Sequence, residues 1–333
     1  MSTTGNFSTL LQRFFTQRLM AQRQVSAHTI ASYRDTFRLL LRFVRQHSGK
    51  APSKLQLNDI DTDLIGAFLD WLQEDRGASA RTSNQRLTAI RSFLTFAAME
   101  EPTSGGHIAR ALSIPFKRQA RPMVGFLSRQ EVEAILAIPD RGTWIGRRDH
   151  ALLFMAAQTG LRVSELTGLH RDALTFGSSS AHVRCHGKGR KDRCTPLTRS
   201  TVAILKAWIA ELAAHGSLFL FPSRSGDRLS SDSVQYMLTK YATTASRTCP
   251  SLQGRRISPH VLRHSAAMEL LLAGVDTSVI ALWLGHESVE TTQAYLHAHI
   301  ALKEAALAKT SPIDGKPGRF QAEDQLLTFL EAL

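Results

Sequence analysis

The chain has 333 residues, 43% of them hydrophobic and 21% charged, which allows about two globular domains and leaves out collagen-like, disordered and low-complexity classes. Its 41 Lys and Arg against 28 Asp and Glu give a net charge of +13, a surplus that draws polyanions, nucleic acid first. No apolar run nears the roughly 20 residues of a membrane span, residues 1–10 lack the basic-then-apolar pattern of a secretory leader, and the three cysteines match no disulfide framework. The expectation is a cytoplasmic protein with no membrane partner.

Four helices are predicted first, over 6–24, 26–47, 61–74 and 79–99. In the second, "SAHTIASYRDTFRLLLRFVRQ", Ile30, Tyr33, Phe37, Leu40 and Val44 recur at helical spacing behind Ser26 as cap. The third, "DTDLIGAFLDWLQE", carries acids in its first turn, where the helix dipole favours them. Residues 102–127 are broken by prolines and a Gly-Gly pair and are basic, so they read as a linker. The expected division is a helical domain over 1–105, a linker over 106–127, a second domain over 128–309, and a C-terminal segment over 310–333.

The second domain opens with Ser128 and Glu131 spaced as a capping box. A helix over 146–158 is stopped by Gly160, and another starts at 162. Residues 181–197 alternate like strands around a Gly-Lys-Gly turn and predict a β-hairpin. Helices are expected over 199–214, 230–245, 259–273, 276–284 and 288–308. The end, "EDQLLTFLEAL", predicts a short amphipathic helix. The fold class is therefore mainly α with a small β-sheet.

Four stretches carry residues suited to chemistry. In "TGLRVSELTGL", Glu165 follows Arg162 at i,i+3 and is placed to hold its guanidinium; the same spacing is common in surface ion pairs. In "HGKGRKDR", Lys188 sits between two glycines with room to approach a phosphate, and the same turn is equally a solvated basic loop. In "ISPHVLRHSAAMELLLAG", Ser258 fits the N-cap, Pro259 the first helical position and Gly274 the C′ position. His260 and Arg263 then share the first turns as a phosphate seat, while His264 reads as a surface or packing histidine. In "LGHESVETTQAYLH", Tyr295 follows His286 by nine residues; taken alone, a tyrosine between Ala294 and Leu296 is packing.

Zinc is set aside. His182, Cys185, His186 and Cys194 match no finger spacing, and a strand turns Cys185 away from the two histidines. No GxxxxGK[ST] loop supports nucleotide hydrolysis.

Taken in order, "TGLRVSEL", "GKGRKDR", "HVLR" and "LGH" followed nine residues later by Tyr resemble the tyrosine recombinases, or phage-integrase family, with Xer-type and transposon-borne integrases the nearest likeness. The stretches "SAHTIASYRDTFRLLLRF" and "TSNQRLTAIRSFLTFA" look like that family's helical core-binding domain. The resemblance implies a two-domain DNA clamp, with a mixed α/β catalytic domain and no cofactor or metal. Arg162 and Arg263 would clamp the scissile phosphate, Lys188 would protonate the leaving 5′ oxygen, and His260 would assist proton transfer. His286 would support the phosphate, Tyr295 would attack it, and Glu165 would support Arg162. Arg81, Asn84, Arg86, Arg91, Arg190 and Lys191 are the expected further DNA contacts. The implied activity is site-specific recombination at a double-stranded DNA site, serving a mobile element, by a homo-tetramer with or without a second recombinase. A type IB-like topoisomerase and a non-catalytic DNA-binding regulator or accessory subunit are the competing readings.

Overall fold

The computed structural model describes residues 6–119, 125–177, 180–186, 192–213 and 216–285, with only the backbone of His186. Of the expected site, Lys188, Arg190, Lys191, His286 and Tyr295 lie outside the described residues, as do the helices expected over 288–308 and at the C-terminus. The chain divides into two compact units, Met1–Arg121 and Pro122–Leu333.

The first unit is helical. Helix α1 (Phe7–Arg13) runs on in wider, π-type turns over Phe14–Gln22; α2 (Ala27–Ser48), α3 (Thr62–Glu74), α4 (Ala80–Glu100) and α5 (Gly105–Leu112) follow. The wider turns have a packing consequence. Phe14 and Leu19, five residues apart, are both fully buried, a pairing an ordinary α-helix would place on different faces. Ser26 caps α2 as expected, accepting from the Thr29 amide; Asp61 accepts likewise from Leu64 and Ser79 from Thr82. The core centres on Phe93, whose ring meets Phe7, Phe14 and Phe37 edge-on at centroid distances of 5.2, 5.6 and 5.4 Å.

The linker expected over 106–127 starts too early. Helix α5 occupies Gly105–Leu112 and buries Ile108 and Ala111 in the first core. Beyond it, Asn84 receives the Lys117 amide on Oδ1 (2.9 Å) and donates Nδ2 to the Lys117 carbonyl (2.8 Å). The Lys117 ammonium reaches Asp70 at 3.0 Å. Pro and Gly content signalled a break in chain direction here, whereas the backbone stays bound to the unit through Lys117.

The second unit contains α6 (Arg129–Leu136), α7 (Trp144–Thr159), α8 (Val163–Gly168), β1 (Leu174–Phe176), β2 (Ala181–His186), β3 (Asp192–Pro196), α9 (Arg199–Leu212), α10 (Ser231–Ala245), α11 (Pro259–Leu272) and α12 (Thr277–Leu284). The capping box forms as expected: Ser128 Oγ accepts from the Glu131 amide and Glu131 accepts from the Ser128 amide. Strands β2 and β3 pair antiparallel, opposing Cys185 to Arg193 and Val183 to Thr195, and β1 adds to the outer edge of β2. Period-2 alternation sends Val183 and Cys185 inward, both at most 2% exposed.

Helix α7 runs through the core, burying Ala151, Leu152, Leu153, Met155 and Ala156. On the same helix Asp149 is sealed between Arg148 (2.7 Å) and the Tyr241 hydroxyl (2.7 Å). Helix α12 packs on α11 through Leu271, Ile280 and Leu284. Trp283 Nε1 donates to the Thr159 carbonyl at 3.1 Å, which ties α12 to the end of α7. Among the described residues, no helix is long and apolar enough to cross a membrane.

Candidate active site

Three helix ends meet at the site. Helix α7 stops at Gly160, whose backbone is left-handed (φ 63°), and α12 stops at Gly285, also left-handed (φ 65°). The carbonyls at such ends have no helical partner and carry the negative pole of the helix dipole. Both arginines singled out from sequence bind there. Arg263, near the start of α11, donates Nη1 to the Gly160 carbonyl (2.6 Å) and Nη2 to the Leu284 carbonyl (2.7 Å), and is 4% exposed. Arg162, at the N-cap of α8, donates Nη2 to the Gly285 carbonyl at 2.9 Å. A buried cation needs compensating oxygens, and these helix ends supply some of them to Arg263.

Close packing enforces the arrangement. A Cβ on Gly160 would stand 2.7 Å from Leu284 Cδ2 and 3.2 Å from the Ala266 methyl, so the α7 end, α11 and α12 touch at one point. The two guanidiniums therefore converge on Leu284 and Gly285, the two residues immediately preceding His286 in the chain.

Glu165 does what its spacing predicted. Its Oε2 accepts the Arg162 amide (2.7 Å), and its Oε1 accepts Arg162 Nη1 (2.9 Å). It is 5% exposed. Burial pushes its carboxyl up, but donation from Arg193 and Arg162 outweighs this and holds it below the ordinary value. Arg193, on β3, adds two bonds to the same carboxylate, Nη1 to Oε1 at 3.0 Å and Nη2 to Oε2 at 2.7 Å. Arg193 is the site residue that the sequence reading missed.

At the start of α11, Ser258 Oγ takes the Val261 amide and Pro259 has none to offer, so backbone donors play a smaller part there than expected. His260 is exposed. His264, one turn later, is half-buried; burial first, then His260 and Arg263, push its imidazole down to about 4, so it is neutral at pH 7. That agrees with a packing role and not with a solvent-facing one.

The chain matches the phage integrase family model over residues 125–301 and the N-terminal SAM-like domain of phage integrases over 12–101. It is similar along its whole length to integrase/recombinase y4rC of Sinorhizobium fredii, with 57% identity and 100% of both chains covered. The chain belongs to the phage integrase family of tyrosine recombinases. Tyrosine recombinase XerD of Pseudomonas putida is 30% identical, with 90% of this chain and 96% of that one covered. In fold it is similar to the XerH site-specific recombinase bound to a palindromic difH substrate, with a TM-score of 0.67 at 22% identity, covering 85% of this chain and 80% of the other.

The other expected DNA contacts of this recombinase fare differently. Arg81 is exposed. Arg91 lies 4.9 Å over the Phe116 ring. Asn84 is committed to the Lys117 backbone, and Arg86 Nη1 donates to the Ser32 carbonyl (3.0 Å) and Thr36 Oγ1 (3.1 Å), tying α4 to α2. These bonds give Asn84 and Arg86 a role in holding the unit together. Of the residues weighed for zinc, Cys185 is a core side chain whose thiol burial pushes up to about 11, while Cys194 is exposed on the next strand.

Proposed function

We propose that this recombinase cuts and rejoins double-stranded DNA at a specific site through a covalent 3′-phosphotyrosine on Tyr295, and that it integrates, excises or transposes a mobile element. The observation that carries the reading is the convergence of Arg162 and Arg263 on the end of α12, one residue before His286 and ten before Tyr295 in sequence.

The chemistry follows from what each group supplies. Displacement at a phosphodiester builds negative charge on the nonbridging oxygens, and each prearranged donor facing that charge is worth about 10²–10³ in rate. Arg162 and Arg263 provide it, with His286 as a further donor. The Tyr295 oxygen forms a bond to phosphorus as the bond to the 5′ oxygen breaks. The phenol proton leaves through His260, and Lys188 gives a proton to the departing oxygen. A positioned acid contributes about 10²–10⁴. The phosphotyrosine conserves the energy of the broken bond, so a second 5′ hydroxyl reseals the strand with no nucleotide hydrolysis.

Exchange between two duplexes requires four cleavages with one tyrosine each, which a homo-tetramer on DNA provides. Arg81, Arg91, Arg190 and Lys191 are proposed to bind phosphates, in keeping with the +13 charge.

The test is covalent trapping on nicked duplexes from candidate element ends, with wild type and Tyr295→Phe, without metal. Wild type should give an SDS-stable protein–DNA band that the variant lacks. Tight, salt-sensitive binding with no band on any duplex would overturn the reading in favour of a DNA-binding regulator. Relaxation of supercoiled DNA lacking any such site, with no strand exchange, would favour a topoisomerase.

A further inference from the structure

Arg193 occupies an expensive place for a cation. Its side chain is 11% exposed, both terminal nitrogens donate to Glu165, and its Nε is buried without an acceptor among the described residues. Ion pairs buried in this way contribute little net stability, and an apolar side chain of similar size often does as well or better. Stability alone therefore does not account for an arginine here.

Its surroundings suggest what does. Glu165 is needed to orient Arg162, yet a carboxylate beside a phosphate-binding guanidinium cancels its charge and opposes the arriving anion. Arg162 with Glu165 sums to zero; adding Arg193 returns the group to +1. Bonded to Glu165, which in turn holds Arg162, Arg193 bears on the phosphate through Arg162. It also packs at the end of α12: a Cβ on Gly285 would stand 2.5 Å from Arg193 Nη1. Along the chain Arg193 lies five residues after Lys188, the proposed acid.

We propose that Arg193 is a positioning residue of the recombinase: through Glu165 it holds the Arg162 guanidinium against the end of α12, and it offsets the charge that Glu165 would otherwise subtract from the phosphate pocket. This rests on the reading of Arg162 as a phosphate-binding residue. The feature is a two-sided carboxylate, Arg162–Glu165–Arg193, that joins α8, β3 and α12 in one hydrogen-bonded group.

The experiment is a double-mutant cycle on single-turnover cleavage, using the nicked duplex on which wild type forms its adduct. Arg193→Gln should slow cleavage about 10²-fold while DNA affinity stays within about threefold, because Arg193 does not itself contact phosphate. Arg193→Lys keeps the charge but loses the two-pronged fit and should recover roughly tenfold of that loss. In a Glu165→Gln background, Arg193→Gln should add less than about threefold, because the carboxylate through which it acts is gone. Multiplication of the two losses, or wild-type cleavage by Arg193→Gln, would overturn the proposal. A rate loss explained wholly by a lowered melting temperature would do so too. Should Arg193→Gln melt below the assay temperature, Arg193→Lys carries the same cycle. Arg162→Gln is the control for the underlying reading: wild-type cleavage by that variant defeats the phosphate assignment itself. An inactive Arg162→Gln beside a fully active Arg193→Gln defeats only the inference about Arg193.

Discussion

Replacing Gly160 with alanine probes the joint that seats both arginines. Two costs arise. A residue with a side chain held at φ 63° is strained by about 1–2 kcal/mol. The new methyl would stand 2.7 Å from Leu284 Cδ2, a contact that moves α12 and adds about 1–3 kcal/mol of overpacking. Partial relaxation of one relieves the other, so the expected total is about 2–4 kcal/mol, or roughly 4–16 °C in Tm for a unit of this size. The folded variant should also cleave more slowly. Arg263 is anchored to the Gly160 and Leu284 carbonyls, and a displacement near 1 Å at a reacting centre costs about 10² in rate. Gly254→Ala is the control: φ is 68° with open space where the Cβ would go, so it carries backbone strain alone and leaves cleavage unchanged. Differential scanning calorimetry and single-turnover cleavage on both variants decide the matter. Equal Tm losses with equal cleavage would refute the packing argument.

Two further outcomes follow. Asn84→Ala removes both bonds to the Lys117 backbone; it should cost about 1–3 kcal/mol and speed tryptic cleavage after Lys117 and Arg118, with DNA sequence preference unchanged. Unaltered proteolysis with relaxed sequence preference would return Asn84 to the role of a DNA contact. Glu131 should shape acid stability: burial raises its carboxyl, but Ser251, the Ser128 amide and Arg255 donate to it and bring it below the ordinary 4.5. A folded pKa below the unfolded one adds stability that is complete above about pH 4.5 and is lost as pH falls through the folded value. Glu131→Gln should therefore flatten the acid limb of a urea-unfolding series, and an unchanged limb would contradict the assigned bonds.

What the sequence made legible was local. Ser26, Ser128 and Ser258 cap helices in the structure as expected, because a cap depends on two or three neighbouring residues. Gly160 and Gly274 end helices at φ 63° and 82° for the same reason. The Arg162–Glu165 pair was visible because one helical turn separates its members. Strand β1 was invisible because three residues are too few to show an alternation. Helix α5 was hidden by a Gly-Gly start that depresses helix propensity, although Ile108 and Ala111 bury it well. Arg193 meets Glu165 across 28 positions, beyond any local pattern. The internal bonds of Asn84 and Arg86 were not legible, because an amide or guanidinium suited to a phosphate is equally suited to a backbone carbonyl.

The central claim is that one tyrosine becomes covalently attached to DNA, and peptide mapping of the trapped adduct tests it most directly. The four tyrosines separate well. Tyr241 is hydrogen-bonded to buried Asp149, Tyr33 lies in the first unit, and Tyr236 is 75% exposed on α10. Cleavage after Arg263 and Lys303 isolates Tyr295 in a peptide with no other tyrosine, while cleavage after Arg228 and Lys240 isolates Tyr236. The account predicts nucleotide mass on the 264–303 peptide alone, and its loss in Tyr295→Phe. Nucleotide on the Tyr236 peptide, or an adduct that persists in Tyr295→Phe, would contradict it.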